Sequence, residues 1–159
     1  MEIERRWLVT GWPDLEPVST LSMEQGYFAT RPAIRIRQER ILGGSTAYVL
    51  CFKGKGGLVR EEIELNLSPD YYARLKAMLG KPMIQKEQRR YALPDHLILE
   101  VNSVDPQLDT GFFYAEVEFS TEAAALAWTP TPELEAYLSH EVTGQPGESM
   151  AAYWDRTRN

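Results

Sequence analysis

The chain has 159 residues, with 17 basic and 23 acidic side chains and a formal net charge of -6. This length suits one compact domain, residues 1–159, with a sizeable core. The acidic total argues against general nucleic-acid binding, and no stretch is apolar for long enough to cross a membrane. The single cysteine, Cys51, excludes an intramolecular disulfide. We therefore expect a cytoplasmic protein without a nucleic-acid or membrane partner.

Alternation of polar and apolar residues with a period of two dominates the sequence and predicts eight β-strands. They cover residues 1–9, 24–30, 33–41, 45–54, 57–67, 83–92, 96–104 and 113–119. Glycines at Gly43-Gly44 and at 54–57 indicate hairpin loops on either side of the fourth strand. The pattern predicts a mainly β fold with flanking helices (α+β), in which the antiparallel strands form a tunnel-like barrel.

Four helices are expected to flank the strands. Ser68 precedes Pro69 in the way an N-cap precedes the first helical residue, and Gly80 is a typical stop, so a helix is predicted from Ser68 to about Leu79. A second helix is predicted over residues 121–128. Shorter helices are expected at 132–138 and 149–156. We expect the helices to cover the outside of the barrel.

The predicted strands separate charged from apolar faces. On the first strand, Glu2, Glu4 and Arg6 share one face, and Ile3 and Trp7 lie on the other. Such a face is common in sheets with one side in water. Here the pattern recurs in five strands, and like charges at positions i and i+2 lie only about 6.6 Å apart. Two explanations stay open: cross-strand pairing of opposite charges on a solvated face, or polar faces that line a cavity.

A cavity that contains both carboxylate pairs and cations suits a polyphosphate bound together with a divalent metal. Hard cations such as Mg²⁺ and Mn²⁺ take carboxylate oxygens. Arginine matches phosphate oxygens with paired donors, and lysine supplies a point charge. The side-chain pattern therefore indicates a binding site for a polyanion.

Seven short segments resemble, in order, motifs of the CYTH domains, also called triphosphate tunnel metalloenzymes. The first, Met1-Glu-Ile-Glu-Arg-Arg-Trp-Leu-Val9, is similar to the family's N-terminal ExExK signature. The others are 26–28, 34–37, 52–56, 60–64, 115–119 and 141–143. The resemblance covers about residues 1–150. ExExK alone is a weak signal, and the ordered set carries the resemblance.

The resemblance implies an eight-stranded antiparallel tunnel with a polar, charged interior that uses Mg²⁺ or Mn²⁺. It implies metal-dependent hydrolysis of inorganic triphosphate to pyrophosphate and phosphate. Hydrolysis of thiamine or nucleoside triphosphates, ATP cyclisation of the class IV adenylate cyclase type, and non-catalytic triphosphate binding remain alternatives. The oligomeric state also stays open, with a homodimer as one alternative.

The resemblance also assigns roles to individual positions. The implied metal ligands are Glu2, Glu4, Glu116 and Glu118, and together with Arg6 they form the expected catalytic set. The expected substrate-binding residues are Arg35, Arg37, Lys53, Arg60, Lys86, Arg90, Glu62 and Glu64.

Two departures from the family pattern, at Arg6 and Asn102, matter for the predicted metal and proton chemistry, and a third lies at Gln88. Arg6 stands where the signature has lysine, and arginine is a poor proton carrier because it stays charged. Asn102 stands where the family carries an acidic residue, and Asp105 could replace that acid only if its loop shifted. The family's Lys-x-Arg-Tyr falls on residues 88–91, where the first position is glutamine. Lys86 offers a lysine on the same strand face.

Overall fold

One antiparallel sheet of ten strands dominates the structure, a computed structural model that describes Met1–Asn159. The strands are β1 (Glu2–Val9), β2 (Ser19–Thr30), β3 (Ala33–Ile41), β4 (Thr46–Lys53), β5 (Val59–Arg60), β6 (Glu62–Asn66), β7 (Ile84–Ala92), β8 (Ile98–Val104), β9 (Phe112–Glu118) and β10 (His140–Glu141). The helices are α1 (Pro69–Leu79), α2 (Glu122–Ala127) and α3 (Met150–Arg158). None of the three has the length and hydropathy that a bilayer-spanning segment needs.

The sheet curls into a nearly closed barrel. Its strands follow the order β10, β1, β9, β8, β7, β2, β3, β4, β6. The two ends of this row meet through the chain segment that contains β5 and β6, because Arg60 of β5 pairs with Glu2 of β1 while Glu62 of β6 pairs with Lys53 of β4. The antiparallel, barrel-like architecture expected from the sequence is therefore confirmed.

Three details of the predicted strands are wrong. The strand predicted at 57–67 splits at Glu61, because the chain changes partner from β1 to β4 there. Together with the short β10, this split gives ten strands instead of eight. The second strand starts at Ser19 and not at residue 24, since its first half pairs with β7.

The helix predicted at 132–138 forms a series of turns instead. Two isolated backbone bonds shape it, from the Leu134 amide to Thr131 and from the Leu138 amide to Leu134. Both leucines are buried in the core outside the barrel. So short a segment gains little from helix formation alone, and the packing of its leucines decides its shape.

Helices cover much of the outer apolar surface of the barrel, as expected, whereas Ile63 and Leu65 of β6 are each 51% exposed. The Ser68 hydroxyl caps α1 by accepting a bond from the Tyr71 amide at 3.0 Å, and Gly80 ends the helix with a left-handed φ of 64°. Tyr72 of α1 packs on Ile36 of β3. On the other side, α2 packs on β1, β8 and β9.

The inward faces change from charged to apolar at one end of the barrel. By the period of two, Leu8, Ile84, Val104 and Phe112 continue the faces that carry the charged residues of β1, β7, β8 and β9. These side chains pack against α3, whose buried residues are Met150, Tyr153 and Trp154. Helix α3 therefore closes this end of the barrel, and the remaining length of the interior is polar.

Candidate active site

A cavity of about 200 Å³ lies inside the barrel; we call it the tunnel. Its lining includes every site residue predicted from the sequence except Arg60. Only two of its 17 lining residues, Met23 and Tyr114, are hydrophobic. Of the two explanations left open by the sequence, the structure selects the second, because the charged faces line an interior cavity and do not form an outer surface.

The acidic side of the tunnel is built by β1, β8 and β9. Glu4 is the cross-strand neighbour of Glu118, and Glu116 is flanked by Arg6 on β1 and Glu100 on β8. Burial raises the pKa of Glu4 well above its usual range, and the nearby Glu116 carboxylate raises it further. Burial and neighbouring carboxylates also raise the pKa of Glu118 and Glu100. Ionising all of these carboxylates together is therefore unfavourable unless a cation is added beside them.

Arg6 and Glu116 form the best-defined ion pair of the tunnel. The Arg6 Nε and Nη2 atoms donate to one Glu116 oxygen at 3.1 and 3.0 Å, and its Nη1 donates to the Glu148 carbonyl at 2.5 Å. The guanidinium also lies 4.2 Å from the centre of the Tyr114 ring. Although burial opposes ionisation of Glu116, the Arg6 charge and a side-chain hydrogen bond with Glu4 hold the pKa of Glu116 well below its usual range.

The basic side is built by β3, β4 and β7. Arg35 is only 8% exposed, yet its Nε–H group and that of Arg37 have no protein acceptor. The Lys86 ammonium donates to the Tyr114 hydroxyl at 2.9 Å. Burial, followed by repulsion from Arg37 and Arg35, holds the pKa of Lys86 well below its usual range. Buried donors without partners are costly, so this wall is arranged for an acceptor that the protein does not supply.

Lys53 links the two sides near β5. Its ammonium lies 3.2 Å from both oxygens of Glu2 and 3.4 Å from Glu62. Arg60 lies beside this group, with its Nε 3.4 Å from Glu2, and it lines a neighbouring cavity instead of the tunnel. Glu64, opposite Cys51 on β4, completes the acidic part of this corner.

Sequence reasoning did not assign a site role to four further polar residues of the lining. They are Glu39, Gln88, Glu100 and Tyr114, the last through the hydroxyl of its otherwise hydrophobic side chain. Each lies two residues from an assigned position on the same strand face, apart from Glu100, which is two residues from Asn102. Period-two alternation was therefore a sufficient signal for all four.

The structure shows how β8 brings a carboxylate to the tunnel although Asn102 stands where the family carries an acidic residue. Asn102 is fully buried on the inward face of β8 and accepts a bond from the Gln88 amide at 2.9 Å. Glu100 of the same strand face supplies the carboxylate that β8 brings to the tunnel. Asp105 does not replace it, because it lies outside the tunnel and is bound by Arg158 and Tyr153.

The residues of the acidic side suit a hard divalent cation by their donor type. Glu2, Glu4, Glu116 and Glu118 offer only carboxylate oxygens, which Mg²⁺ and Mn²⁺ prefer. Burial raises the pKa of Glu2, Glu4 and Glu118, and a nearby cation would favour their ionised forms. Three metal-ligating atoms lie within 4.8 Å of one another only at Cys51, Glu62 and Glu64. The four carboxylates would therefore have to turn toward a common ion.

A relative of known activity matches most of the chain. An inorganic triphosphatase of Nitrosomonas europaea is 31% identical over 145 residues, which cover 89% of this chain and 89% of the relative. No protein-family model matches the chain.

Solved structures share the fold. The crystal structure of an inorganic triphosphatase has a TM-score of 0.62 and 27% identity, over 96% of this chain and 93% of that one. A candidate adenylyl cyclase from Hippeastrum with a dominant triphosphatase activity has a TM-score of 0.51 and 16% identity, over 79% of this chain and 83% of that one. The sequence identity with the Nitrosomonas europaea protein extends over most of both chains, and the structure has a charged tunnel inside an antiparallel barrel. These two findings show that this chain belongs to the CYTH family of triphosphate tunnel proteins.

Proposed function

We propose that this protein hydrolyses inorganic triphosphate to pyrophosphate and phosphate inside the tunnel, with Mg²⁺ or Mn²⁺ as cofactor. The observation that carries the proposal is a pair of arginines that line the tunnel, the buried Arg35 and the half-buried Arg37, because the Nε–H donor of each is buried and has no protein acceptor. Phosphate oxygens are the acceptors that match such donors in geometry and charge. The relative from Nitrosomonas europaea, named as an inorganic triphosphatase, supports the choice of substrate.

The cations of the tunnel would bind and align the substrate. Arg35, Arg37 and Arg90 offer planar guanidinium groups, while Lys53 and Lys86 offer point charges. A bound polyanion also favours the charged form of Lys86, because it offsets the repulsion from the neighbouring arginines. Most of the rate enhancement would then come from fixed positioning and from charge stabilisation in a buried site.

The acidic side would hold the metal through Glu2, Glu4, Glu116 and Glu118. A bound divalent cation supplies a Lewis acid for the phosphoryl oxygens and lowers the pKa of water. Arg6 neutralises Glu116 in the free protein and keeps this carboxylate ionised. Because Arg6 cannot release a proton near neutral pH, we assign it charge stabilisation and not proton transfer.

A second function, triphosphate binding without turnover, is favoured by one observation. Arg6 already occupies one oxygen of Glu116, which is one of the expected metal ligands. If that ion pair persists when triphosphate and metal are present, the tunnel keeps its cationic binding wall and loses part of its metal site.

Measuring phosphate release from tripolyphosphate, with Mg²⁺ or Mn²⁺ and with EDTA, tests the proposal. Glu116→Gln removes a charge with almost no change in shape, and we expect it to lower kcat/KM at least about 100-fold. Glu135→Gln is the matched control, because Glu135 is exposed and lies outside the tunnel. We expect this control to keep wild-type activity.

The possible results separate the two functions. Metal-dependent phosphate release that is lost in Glu116→Gln and kept in Glu135→Gln supports the hydrolase. Tight tripolyphosphate binding without phosphate release by the wild type would replace the hydrolase with the binder.

A further inference from the structure

Two neutral amide side chains lie side by side among the charged residues of the barrel interior. Gln88 of β7 and Asn102 of β8 are cross-strand partners, and both are buried. Both positions depart from the family pattern, which has lysine at the first and an acidic residue at the second. The structure therefore joins these two departures in one contact, in which neither side chain carries a charge.

Hydrogen bonds connect this amide pair to Arg90, one of the cations that line the tunnel. The Arg90 Nε donates to the Gln88 Oε1 at 2.9 Å, and the Gln88 Nε2 donates to the Asn102 Oδ1 at 2.9 Å. Because an arginine nitrogen can only donate, Arg90 fixes which end of the Gln88 amide faces it. That orientation in turn places the Gln88 nitrogen against the Asn102 oxygen.

The same contacts leave the outer part of the Arg90 guanidinium free. Its Nε also lies 3.3 Å from a Glu100 oxygen, whereas its Nη1 and Nη2 groups have no protein acceptor. Arg90 is only half-buried, and a long side chain at such a site loses rotamer freedom when it binds a ligand. A contact that holds the Nε in advance reduces this loss and keeps the Nη groups available for phosphate oxygens.

The far end of the amide chain has no partner in the protein. Asn102 is fully buried, and its Nδ2 group has no acceptor. A buried donor without a partner is costly, so stability alone does not explain the pair. Holding a tunnel cation in place is a role that does explain it.

We propose that Gln88 is a positioning residue for the substrate, because it holds the Arg90 guanidinium in the geometry that binds a phosphate, and that Asn102 anchors Gln88. Both amides act through Arg90. This assignment rests on the proposed function, since Arg90 has a phosphate to bind only if the tunnel binds triphosphate.

A double-mutant cycle tests whether Gln88 acts through Arg90. Tripolyphosphate is titrated in EDTA, without turnover, into the wild type, Gln88→Met, Arg90→Met and the double variant. Gln85→Met is the matched control, because Gln85 lies on the same strand but is exposed and outside the tunnel. Thermal denaturation first shows which variants are folded, and Gln88→Ala replaces Gln88→Met if the latter does not fold.

We expect Arg90→Met to weaken binding about 10-fold, as for a partly exposed charged contact. Gln88→Met should weaken it about 5-fold, because Arg90 must then be ordered on binding. The double variant should bind about as weakly as Arg90→Met alone, since Gln88 has no cation left to position. Gln85→Met should bind like the wild type.

The anchoring role of Asn102 is tested in the same titration. Asn102→Leu removes the acceptor of Gln88 at similar volume, and we expect it to weaken binding about 3-fold. Added to Gln88→Met, it should have no further effect, because it acts through Gln88. An equal loss with and without Gln88 would overturn the anchoring role.

Two kinds of result would overturn the main assignment. If the separate losses multiply to about 50-fold in the double variant, or if either Gln88→Met or Arg90→Met binds like the wild type, Gln88 does not act through Arg90 and the proposed function stands. If the wild type binds no tripolyphosphate, the assignment and the proposed function both fail.

Discussion

Asp105 is a fully buried carboxylate at the junction between the barrel and the C-terminal helix. One of its oxygens accepts bonds from the Tyr153 hydroxyl at 2.6 Å and from Arg158 Nη1 at 2.8 Å, and the other accepts from the Gln85 amide at 2.9 Å. Although burial opposes ionisation, these donors and the Arg158 charge lower the pKa of Asp105. Asp105 thus fastens α3 over the closed end of the barrel.

Asp105→Asn keeps the shape of this side chain and removes its charge. Because Arg158 would remain buried without a counter-charge, we expect the free energy of unfolding to fall by about 3 kcal/mol. Thermal denaturation should show a Tm roughly 9 °C lower for a chain of this size. Asp70→Asn, which removes only an exposed pair with Arg74, should change stability by less than about 1 kcal/mol.

The same variant gives a pH test. A depressed folded-state pKa means that ionised Asp105 stabilises the fold above its unfolded-state pKa, and that this contribution is lost as pH falls through the lower folded-state value. The difference in Tm between wild type and Asp105→Asn should therefore be constant near neutral pH and narrow below about pH 4. A difference that widens in acid would contradict the role given to Asp105.

Among single residues, the sequence predicted which side chains face the tunnel better than it predicted their partners. Period two places Glu2, Glu4 and Arg6 on one inward face, and the structure agrees. The bond from Arg6 to the Glu148 carbonyl joins residues 142 positions apart, and no local pattern reports such a contact. Glu100 was not predicted, because the family resemblance placed the acidic position of this strand at Asn102.

The loop between β8 and β9 turns back on itself at Gly111. A Cβ atom there would lie 2.9 Å from the Val104 carbonyl oxygen and closer still to that of Asp105, and both are backbone atoms that cannot rotate away. We expect Gly111→Ala to destabilise the protein by about 2 kcal/mol, measured by urea denaturation.

Gly11→Ala is the matched control for that change. No atom lies within 4 Å of a Cβ atom at Gly11, and its φ is not in the left-handed region. Its free energy of unfolding should stay within about 0.5 kcal/mol of the wild-type value. Equal effects of the two substitutions would show that Gly111 is not constrained by the backbone of this loop.

Elements with local signals were predictable, and those set by distant partners were not. The Ser68 cap and the Gly80 stop fix both ends of α1 within a few residues of the helix itself. The break at Glu61 depends on β1 and β4 reaching the two halves of one segment, which is a property of barrel closure. The turns at 132–138 likewise follow from the burial of Leu134 and Leu138.

At the scale of the whole molecule, the barrel separates an apolar outer layer from a charged interior. Helices cover much of its outer apolar surface, α3 closes one end, and the remaining interior is a charged tunnel. The alternation of charged and apolar residues left two arrangements open, a solvated outer face and the lining of a cavity, and the structure shows the lining of a cavity. The closing role of α3 was not predictable, since its apolar residues fit any helix that packs on a sheet.

The central claim is that the tunnel interior binds triphosphate, and β3 offers a direct test because it carries arginines on both faces. Arg37 lines the tunnel, whereas Arg40 is exposed on the outside. Isothermal titration of tripolyphosphate into Arg37→Gln and Arg40→Gln compares the same change on the two faces of one strand. We expect Arg37→Gln to weaken binding about 30-fold, as for a buried charged hydrogen bond, and Arg40→Gln to bind like the wild type. Equal affinity of both variants and the wild type would contradict a triphosphate site inside the barrel.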